Sequence, residues 1–374
     1  DFYNGYGERR LEVIHVFLPT QDADKEDLMK HVLLEVPWFA LPFQDELRGV
    51  RLKHKFKAKE GSVVLLCAST GKVLLKDCRG RLEEDPEGLN FPWEPRPLLH
   101  ILKDVAQGGL LLGGDRPDFK RKKIQLEDLD GSIKGIYFSA HWCPPCRAFT
   151  PHLIEVYNKI RSRGINFEII FASSDRTEES YNSYLSTMPW TAINFKNSLQ
   201  RQELASYFDI HGIPSLIILD PEGRMITEDG RGEVNEDPDA ELFPWRPKRV
   251  KILTDRLTTT FYHSPAIVFF LDKNDDDEID FAENVLNTSA EWFEAHCQNI
   301  IYDLNFFIAL EGETGESFRY FVGLDDASPL LTAIDIPANR ITTMEYGAEI
   351  TINSVKSFVQ AFVSEQLHFS QIKK

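Results

Sequence analysis

The chain repeats itself. Val36-Pro37-Trp38 recurs as Met188-Pro189-Trp190, and Phe91-Pro92-Trp93-Glu94-Pro95 as Phe243-Pro244-Trp245-Arg246-Pro247, both at an offset of 152 residues. Phe56/Phe208 and Gly71/Gly223 hold the same register, and one residue of slippage upstream sets Asp22 opposite Asp175. A register kept across Trp, Pro and Gly positions means two tandem copies of one fold. At 374 residues there is room for two to three such domains.

The second copy is the complete one. Gly135–Ala140 reads as a buried strand leading into Trp142-Cys143-Pro144-Pro145-Cys146. Phe149, Leu153, Val156 and Ile160 then recur at three- and four-residue spacing, the mark of an amphipathic helix. Phe167–Ala172 is a second strand, Thr177–Ser186 a helix with its cap region at Ser173–Asp175, and Gln200–Phe208 a further helix. Ile213-Pro214-Ser215 heads the strand Leu216–Leu219, which turns at Pro221-Glu222-Gly223 into a hairpin partner, Arg224–Thr227. Lys248–Thr258 is expected to close the copy as a helix. The fold class is α/β, a mixed central sheet flanked by helices.

The first copy begins late: Val13–Leu18 corresponds to Phe167–Ala172, so the strand and helix that would carry a Cys pair have no counterpart in this sequence. A third unit starts near Phe261, with strands Ala266–Leu271, Asn305–Leu310 and Leu331–Ile336, the last headed by Ser328-Pro329-Leu330. Ala290–Cys297 belongs to a helix, and Ser354–Gln366 is the closing helix. The expected organisation is a partial domain over 1–107, a Gly-rich linker over 108–118, a catalytic domain over 119–260 and a domain without a Cys pair over 261–374.

The formal net charge of −17 opposes a phosphate backbone, so no nucleic-acid partner is expected. No apolar run approaches the roughly 18–20 residues that cross a bilayer, and Asp1–Arg10 lack the apolar core of a signal peptide. Five cysteines, sparse and odd in number, fit a reducing intracellular compartment with one special pair rather than a disulfide framework.

That pair is Cys143 and Cys146. Two intervening residues at a helix start bring two Cβ atoms to roughly 4 Å, the spacing of a disulfide. Cys143, at the helix N-terminus, has its thiolate stabilised by unsatisfied N–H groups and the dipole, and should attack a target disulfide. Cys146, one turn deeper, should resolve the mixed intermediate. Pro144 and Pro145 stiffen the first turn, and Trp142 should shield one side of the sulfur. A zinc site would need four ligands, and no second Cys-x-x-Cys or His pair stands at ligand spacing, so no metal is expected. Ile213-Pro214 lies where a cis proline can face the sulfurs.

Tyr137-Phe138-Ser139-Ala140-His141-Trp142-Cys143-Pro144-Pro145-Cys146-Arg147 resembles the tryparedoxin/nucleoredoxin branch of the thioredoxin superfamily, with support from Glu168–Asp175 and Met188-Pro189-Trp190. The tandem copies ending Phe-Pro-Trp-x-Pro and the Cys-less third domain extend the resemblance over essentially the whole chain. It implies a protein-disulfide reductase with no bound cofactor, whose Cys143–Cys146 disulfide takes electrons from NAD(P)H through a thioredoxin-reductase-type donor. It further implies protein substrates carrying disulfides, a cytoplasmic and nuclear location, and redox-sensitive binding of a signalling partner of the Dishevelled type in the Wnt pathway. The implied substrate-contacting residues are Trp142, Ile213, Pro214 and Trp190. A second class of function stays open, a redox-sensing adaptor whose work is partner binding.

Two departures stand out. Thioredoxins proper carry a buried Asp six residues before the nucleophile, where this chain has Tyr137, a phenol that is a poor base at neutral pH. Ser62 stands at the first-copy position of Pro214.

Several features have plainer readings beside sharper ones. Trp190 is either a rim platform for substrate or a core plug. Arg147 either steers anionic targets or is a solvated helix residue. Cys67, in the apolar run Val63–Ala68, is expected in the core, while Cys78 and Cys297 are expected as free, unreactive thiols. Asp272-x-Asn274-x-Asp276-x-Glu278-x-Asp280-x-x-Glu283 has EF-hand ligand spacing, but Asp277 stands where the turn wants Gly, so an acidic surface loop is favoured over calcium. Lys120-Arg121-Lys122-Lys123 is either an import patch or a solvated run, and Arg48–Lys59 either docks an acidic partner or is a solvated helix face. The glycines at 108–114 form no dinucleotide fingerprint, so NAD(P)H itself should not bind.

Overall fold

The computed structural model describes residues 11–16, 27, 31, 34–42, 44–59, 61–93, 96–106, 109–114, 123–297, 300 and 302–372. The basic run at 120–122 therefore lies outside the described residues, as do Asp1–Arg10 and Asp22. The chain forms two compact units, one of residues 95–247 and one that joins 1–94 to 248–374.

In the discontinuous unit, the first copy contributes strands β1 (Ile14–His15) and β2 (Phe39–Ala40), helix α1 (Glu46–Lys55), strands β3 (Leu65–Leu66) and β4 (Val73–Leu75), and helix α2 (Arg79–Glu84). β1 and β2 pair parallel and β3 and β4 antiparallel, as two separate two-stranded sheets. The single mixed sheet expected for this copy is not formed among the described residues. The reason lies in the repeat: the strand that joins such pairs in the second copy has no counterpart in this sequence. In the basic stretch Arg48–Lys59, Arg48, Lys55, Lys57 and Lys59 are exposed, as a solvated face requires, but Arg51 is not. Arg51 is buried, with Nη2 2.7 Å from Asp335 Oδ2 and its guanidinium 4.2 Å from the centroid of the Tyr302 ring.

The continuous unit opens with helix α3 (Leu98–Val105) and strand β5 (Leu111–Leu112). Both fall in stretches that the sequence assigned to the first domain and the linker. α3 belongs here because Ile101, Leu102 and Val105 are buried in one cluster with Ile136, Phe138, Ile170 and Leu204. β5 pairs with strand β8 as the edge of the sheet, so the linker is part of the domain it was meant to precede. Gly113 makes that possible: its N–H donates to the Trp190 carbonyl at 2.9 Å, and a Cβ there would lie 2.4 Å from the Met188 oxygen.

After it come β6 (Ile133–Ser139), α4 (Pro144–Ser162), β7 (Phe167–Ser173), α5 (Glu178–Leu185), β8 (Thr191–Ala192), α6 (Ser198–Tyr207), β9 (Ser215–Leu219), β10 (Met225–Thr227) and α7 (Gly230–Glu236). The sheet order is β10-β9-β6-β7-β8-β5, with β6 parallel to β7 and antiparallel to β9. β6 is buried almost throughout, so it reads as a continuous apolar run rather than an alternation. Phe149, Leu153, Val156 and Ile160 bury one face of α4 against the sheet, as their spacing requires.

The shared Phe-Pro-Trp segment is a structural device. In both copies the tryptophan takes a left-handed φ, +51° for Trp93 and +56° for Trp245, after a cis Phe–Pro bond. Trp93 Nε1 donates to Asp85 Oδ2 at 2.9 Å and Trp245 Nε1 to Asp237 Oδ2 at 2.8 Å. Each carboxylate also takes two backbone N–H groups, from Leu89 and Asn90 and from Glu241 and Leu242. The repeat therefore preserves a corner whose buried indole is hydrogen-bonded.

The rest of the discontinuous unit is β11 (Val250–Ile252), β12 (Ala266–Phe270), α8 (Asp276–His296), β13 (Asn305–Ala309), α9 (Glu313–Val322), β14 (Leu330–Asp335), β15 (Arg340–Thr343), α10 (Ile352–Val363) and β16 (Ser370–Gln371). Its sheet runs β11-β13-β12-β14-β15-β16. β12 is parallel to β13 and antiparallel to β14, the same core arrangement as β6 with β7 and β9. The expected helix Lys248–Thr258 is absent; β11 instead pairs parallel with β13, and a 3-10 stretch follows at Arg256–Tyr262. Its Val-Lys-Ile alternation suits an edge strand. The tail of the second copy thus enters the sheet of the unit that follows it.

The acidic surface loop favoured for the Asp272–Glu283 spacing is corrected in the same way. Asp275 caps α8, accepting from Glu278 N–H at 2.9 Å, so residues from Asp276 onward are wound into a helix rather than around an ion. Among the described residues no group of three or more His, Cys, Asp or Glu is placed to hold a metal.

Candidate functional site

Strand β6 ends at Ser139, and the chain turns through Ala140–Trp142 into α4. Cys143 is the N-cap of that helix, with Pro144 and Pro145 in its first turn. The prolines have no N–H, so the first amide free to point outward is that of Cys146, 3.4 Å from Cys143 Sγ. The next, from Arg147, donates to the Cys143 carbonyl. One donor and the helix dipole therefore converge on the Cys143 sulfur. The two cysteines form a disulfide, with Cα atoms 5.2 Å apart.

Cys143 is 4% exposed and Cys146 fully buried. Both pack with Ala140 and Ile213 in a small apolar cluster. Cys143 Sγ lies 3.8 Å from the Ile213 carbonyl oxygen, and the Ile213–Pro214 bond is cis. The sheet explains this proximity: Phe138 at the end of β6 pairs with Ser215 at the start of β9, so Pro214 must lie beside the Cys loop. Ile213 and Pro214 therefore border the dithiol.

Trp142 is 50% exposed and held flat from two sides. Its Nε1 donates to the Ser174 carbonyl at 3.1 Å, and the Arg176 guanidinium lies 5.8 Å from its ring centroid. Arg147 is exposed, with Nη1 donating to the His141 carbonyl at 2.8 Å. The His141 amide in turn donates to Asp175 Oδ1, and the Asp175 carboxylate also accepts from Ser173 and Ser180 hydroxyls. Asp175, read from sequence only as part of a cap region, thus ties the β7–α5 loop to the loop carrying the dithiol. Arg176 had no signal in the sequence beyond lying next to it.

Trp190 does not join this group. It is fully buried in the core, edge-on to Tyr137 and Tyr157 at 6.1 and 5.5 Å, which excludes a rim platform. Its Nε1 has no hydrogen-bond partner among the described residues.

Tyr137 shows what replaces a buried carboxylate. Its hydroxyl is 2.8 Å from Thr150 Oγ1, which is 2.5 Å from the Tyr184 hydroxyl; that hydroxyl is 3.2 Å from Ser139 Oγ. Thr150 donates to the Cys146 carbonyl at 2.9 Å. The proton count closes if both phenols donate to Thr150 and Ser139 donates to Tyr184. Burial, and then the neighbouring Tyr184, push the Tyr137 phenol above its ordinary range, so it is no proton acceptor at neutral pH. The network instead fixes the helix turn that carries Cys146, next to Pro151, which leaves α4 one backbone donor short.

The other cysteines lie elsewhere. Cys67 is not in the core: it stands half-exposed in the β3–β4 turn, its sulfur 3.2 Å from Ser69 Oγ. Hydrogen bonds from Ser69 and then Thr70 bring its thiol down to about 7. Cys78 is the buried one, and burial followed by Asp77 raises its thiol.

Residues 131–225 match a family model described as thioredoxin-like. Over 336 residues the chain is 40% identical to nucleoredoxin of Homo sapiens, covering 89% of this chain and 75% of that protein. Over 370 residues it is 38% identical to nucleoredoxin of Xenopus laevis, covering 98% and 86%. The crystal structure of native tryparedoxin I from Crithidia fasciculata is 36% identical, covering 40% of this chain and 99% of that one, with a TM-score of 0.36.

Proposed function

The chain belongs to the nucleoredoxin family of thiol–disulfide oxidoreductases, and from that premise we propose that it reduces disulfides in other proteins through Cys143 and Cys146. The observation that carries the proposal is the pairing of a near-surface N-cap sulfur with a fully buried one behind it. The Cys143 thiolate attacks one sulfur of the target disulfide and expels the other as a thiolate. Cys146 stays protonated while buried among apolar groups. It gives that proton to the target thiolate already expelled, attacks Cys143 Sγ, releases the second target thiolate and leaves the Cys143–Cys146 disulfide. A donor dithiol of the thioredoxin-reductase type, supplied by NAD(P)H, resets the pair. Ile213, Pro214 and the held face of Trp142 border the approach and are the substrate-contacting surface.

Insulin reduction tests the proposal, first with NADPH and thioredoxin reductase and then with dithiothreitol. Turnover with wild type and none with Cys143→Ser is expected. No wild-type turnover with either donor would sink the reductase function.

A redox-sensing adaptor is the second proposal, favoured by a third domain that repeats the sheet without a dithiol. A signalling partner of the Dishevelled type, and a cytoplasmic and nuclear location, rest on the sequence resemblance. A partner still bound by the chain with both Cys143→Ser and Cys146→Ser would make adaptor work independent of the dithiol.

A further inference from the structure

We propose that the third domain binds a basic polypeptide segment in the cavity beside Ser328 and Pro329, one lysine or arginine side chain entering it. This does not rest on turnover at Cys143. The cavity holds about 190 Å³ and is lined by Ser328, Pro329, Leu331, Met344, Tyr346 and Ala348, among others. Sites for drug-sized molecules start near about 300 Å³, so this one suits a single side chain.

The position follows from the sheet. β14 begins directly after Pro329, and Leu330 pairs with Phe270 at the end of β12. β9 likewise begins directly after Pro214, and Ser215 pairs with Phe138 at the end of β6. The cavity therefore occupies, in its own domain, the sheet end that borders the Cys143–Cys146 loop in the other copy.

Its walls are built. Arg319 is 8% exposed, and its guanidinium lies 4.2 Å from the centroid of the Phe270 ring. Nη1 donates to the Asp325 and Ala327 carbonyls at 2.9 and 2.7 Å, and Nη2 to Ser328 Oγ at 2.6 Å. These bonds hold the segment before Pro329 from behind. Across the opening, the Tyr346 hydroxyl donates to the Asp325 carboxylate at 3.1 Å.

The charge selects the occupant. Glu345 lines the cavity and is exposed, Asp325 stands at Tyr346, and Asp326 and Glu349, next in sequence to lining residues, are exposed. No lysine or arginine lines it, and Arg319, buried beside Ser328, is turned to carbonyls and a hydroxyl. Leu331 and Met344 offer apolar surface to a long alkyl stem whose ammonium or guanidinium reaches Glu345.

The test uses the full chain with Cys143→Ser and Cys146→Ser, so that no thiol exchange intervenes. A short fluorescein-labelled lysine–threonine peptide is titrated by anisotropy against its glutamate–threonine counterpart. Near-physiological salt screens charges beyond about 8 Å. Saturable binding of the lysine peptide alone is expected, weakened at least about tenfold by Glu345→Arg, as a like charge at the contact requires. Ala348→Trp, which fills the cavity, should weaken it likewise. Glu155→Arg, the same charge change on an exposed face of α4, should leave it intact. Equal binding of the glutamate peptide, no loss in Glu345→Arg, or an equal loss in Glu155→Arg would each overturn the proposal.

Discussion

Thr150→Val removes one oxygen at the centre of the hydroxyl network and keeps the side-chain shape. Tyr184 retains Ser139 at 3.2 Å, and the Cys146 carbonyl remains inside a helix. Tyr137 loses its 2.8 Å partner in a fully buried site. Leaving one buried polar group unsatisfied costs about 1–3 kcal/mol. At about 2–4 °C per kcal/mol for a domain of this size, a loss near 2 kcal/mol lowers Tm by about 4–8 °C. Adding Tyr137→Phe removes one of the two phenol hydrogens left without an acceptor, so the double variant should recover part of the loss. Calorimetry on the oxidised full chain reads this, in the transition that moves when dithiothreitol reduces the disulfide. An unchanged Tm in Thr150→Val, or a double variant that loses the sum of the singles, would refute the network as the support of the Cys146 turn. Tyr137→Phe alone should also keep the pH profile of disulfide reduction, since its raised phenol takes no proton from Cys146.

Gly113→Ala should destabilise the continuous unit by well over about 1 kcal/mol, because its Cβ meets the Met188 and Leu185 carbonyl oxygens at 2.4 and 2.6 Å; an unchanged Tm would mean β5 is not needed there. Asp335→Asn should cost about 3 kcal/mol, since it strips a fully buried carboxylate from Arg51 and Arg340, and urea unfolding of the discontinuous unit measures it. Cys67 should react with iodoacetamide faster than Cys78 or Cys297. The thiolate is the reactive form, so a thiol at about 7 gains rate as pH rises through that value and levels off above it, while burial raises the other two. Peptide mass spectrometry would refute this if Cys67 lagged behind, or if its rate kept climbing toward the ordinary thiol value of 9.0.

The local elements of the second copy were legible because their signals are local. Four apolar residues at helical spacing specified α4, and a continuous buried run specified β6. The dithiol declared itself through spacing alone. What sequence could not show was membership. α3 is an amphipathic helix wherever it packs, and only the sheet decides that Ile101 and Val105 lie with Phe138 and Leu204. The same holds for β11, whose three residues were absorbed into an imagined helix until β13 gave them a partner. Trp190 was ambiguous for a different reason: the repeat pairs it with Trp38, and a shared motif says nothing about which face of a sheet a ring lies on. Cys67 sat in an apolar run, yet the hairpin spends that run on β3 and leaves the sulfur in the turn. The links from Asp175 to His141, and from Thr150 to Tyr137 and Tyr184, join residues far apart in sequence, and no period marks them.

The two complete sheets differ little where a helix follows the central strand. In each, a helix starts just beyond the strand that runs parallel to one neighbour and antiparallel to the other. In each, the N-cap side chain accepts the amide three residues on: Asp275 from Glu278 at 2.9 Å, Cys143 from Cys146 at 3.4 Å. A carboxylate answers the helix N-terminus with a permanent charge and a short bond, and the helix gains its full cap. A sulfur in a disulfide answers it weakly. It carries charge only once reduced and ionised, and the same amide and dipole that go underused in the oxidised state then favour the thiolate. The helix terminus that Asp275 satisfies in one domain is thus left partly unsatisfied in the other, and that shortfall favours a thiolate at Cys143 once the disulfide is reduced, as the proposed reductase chemistry requires.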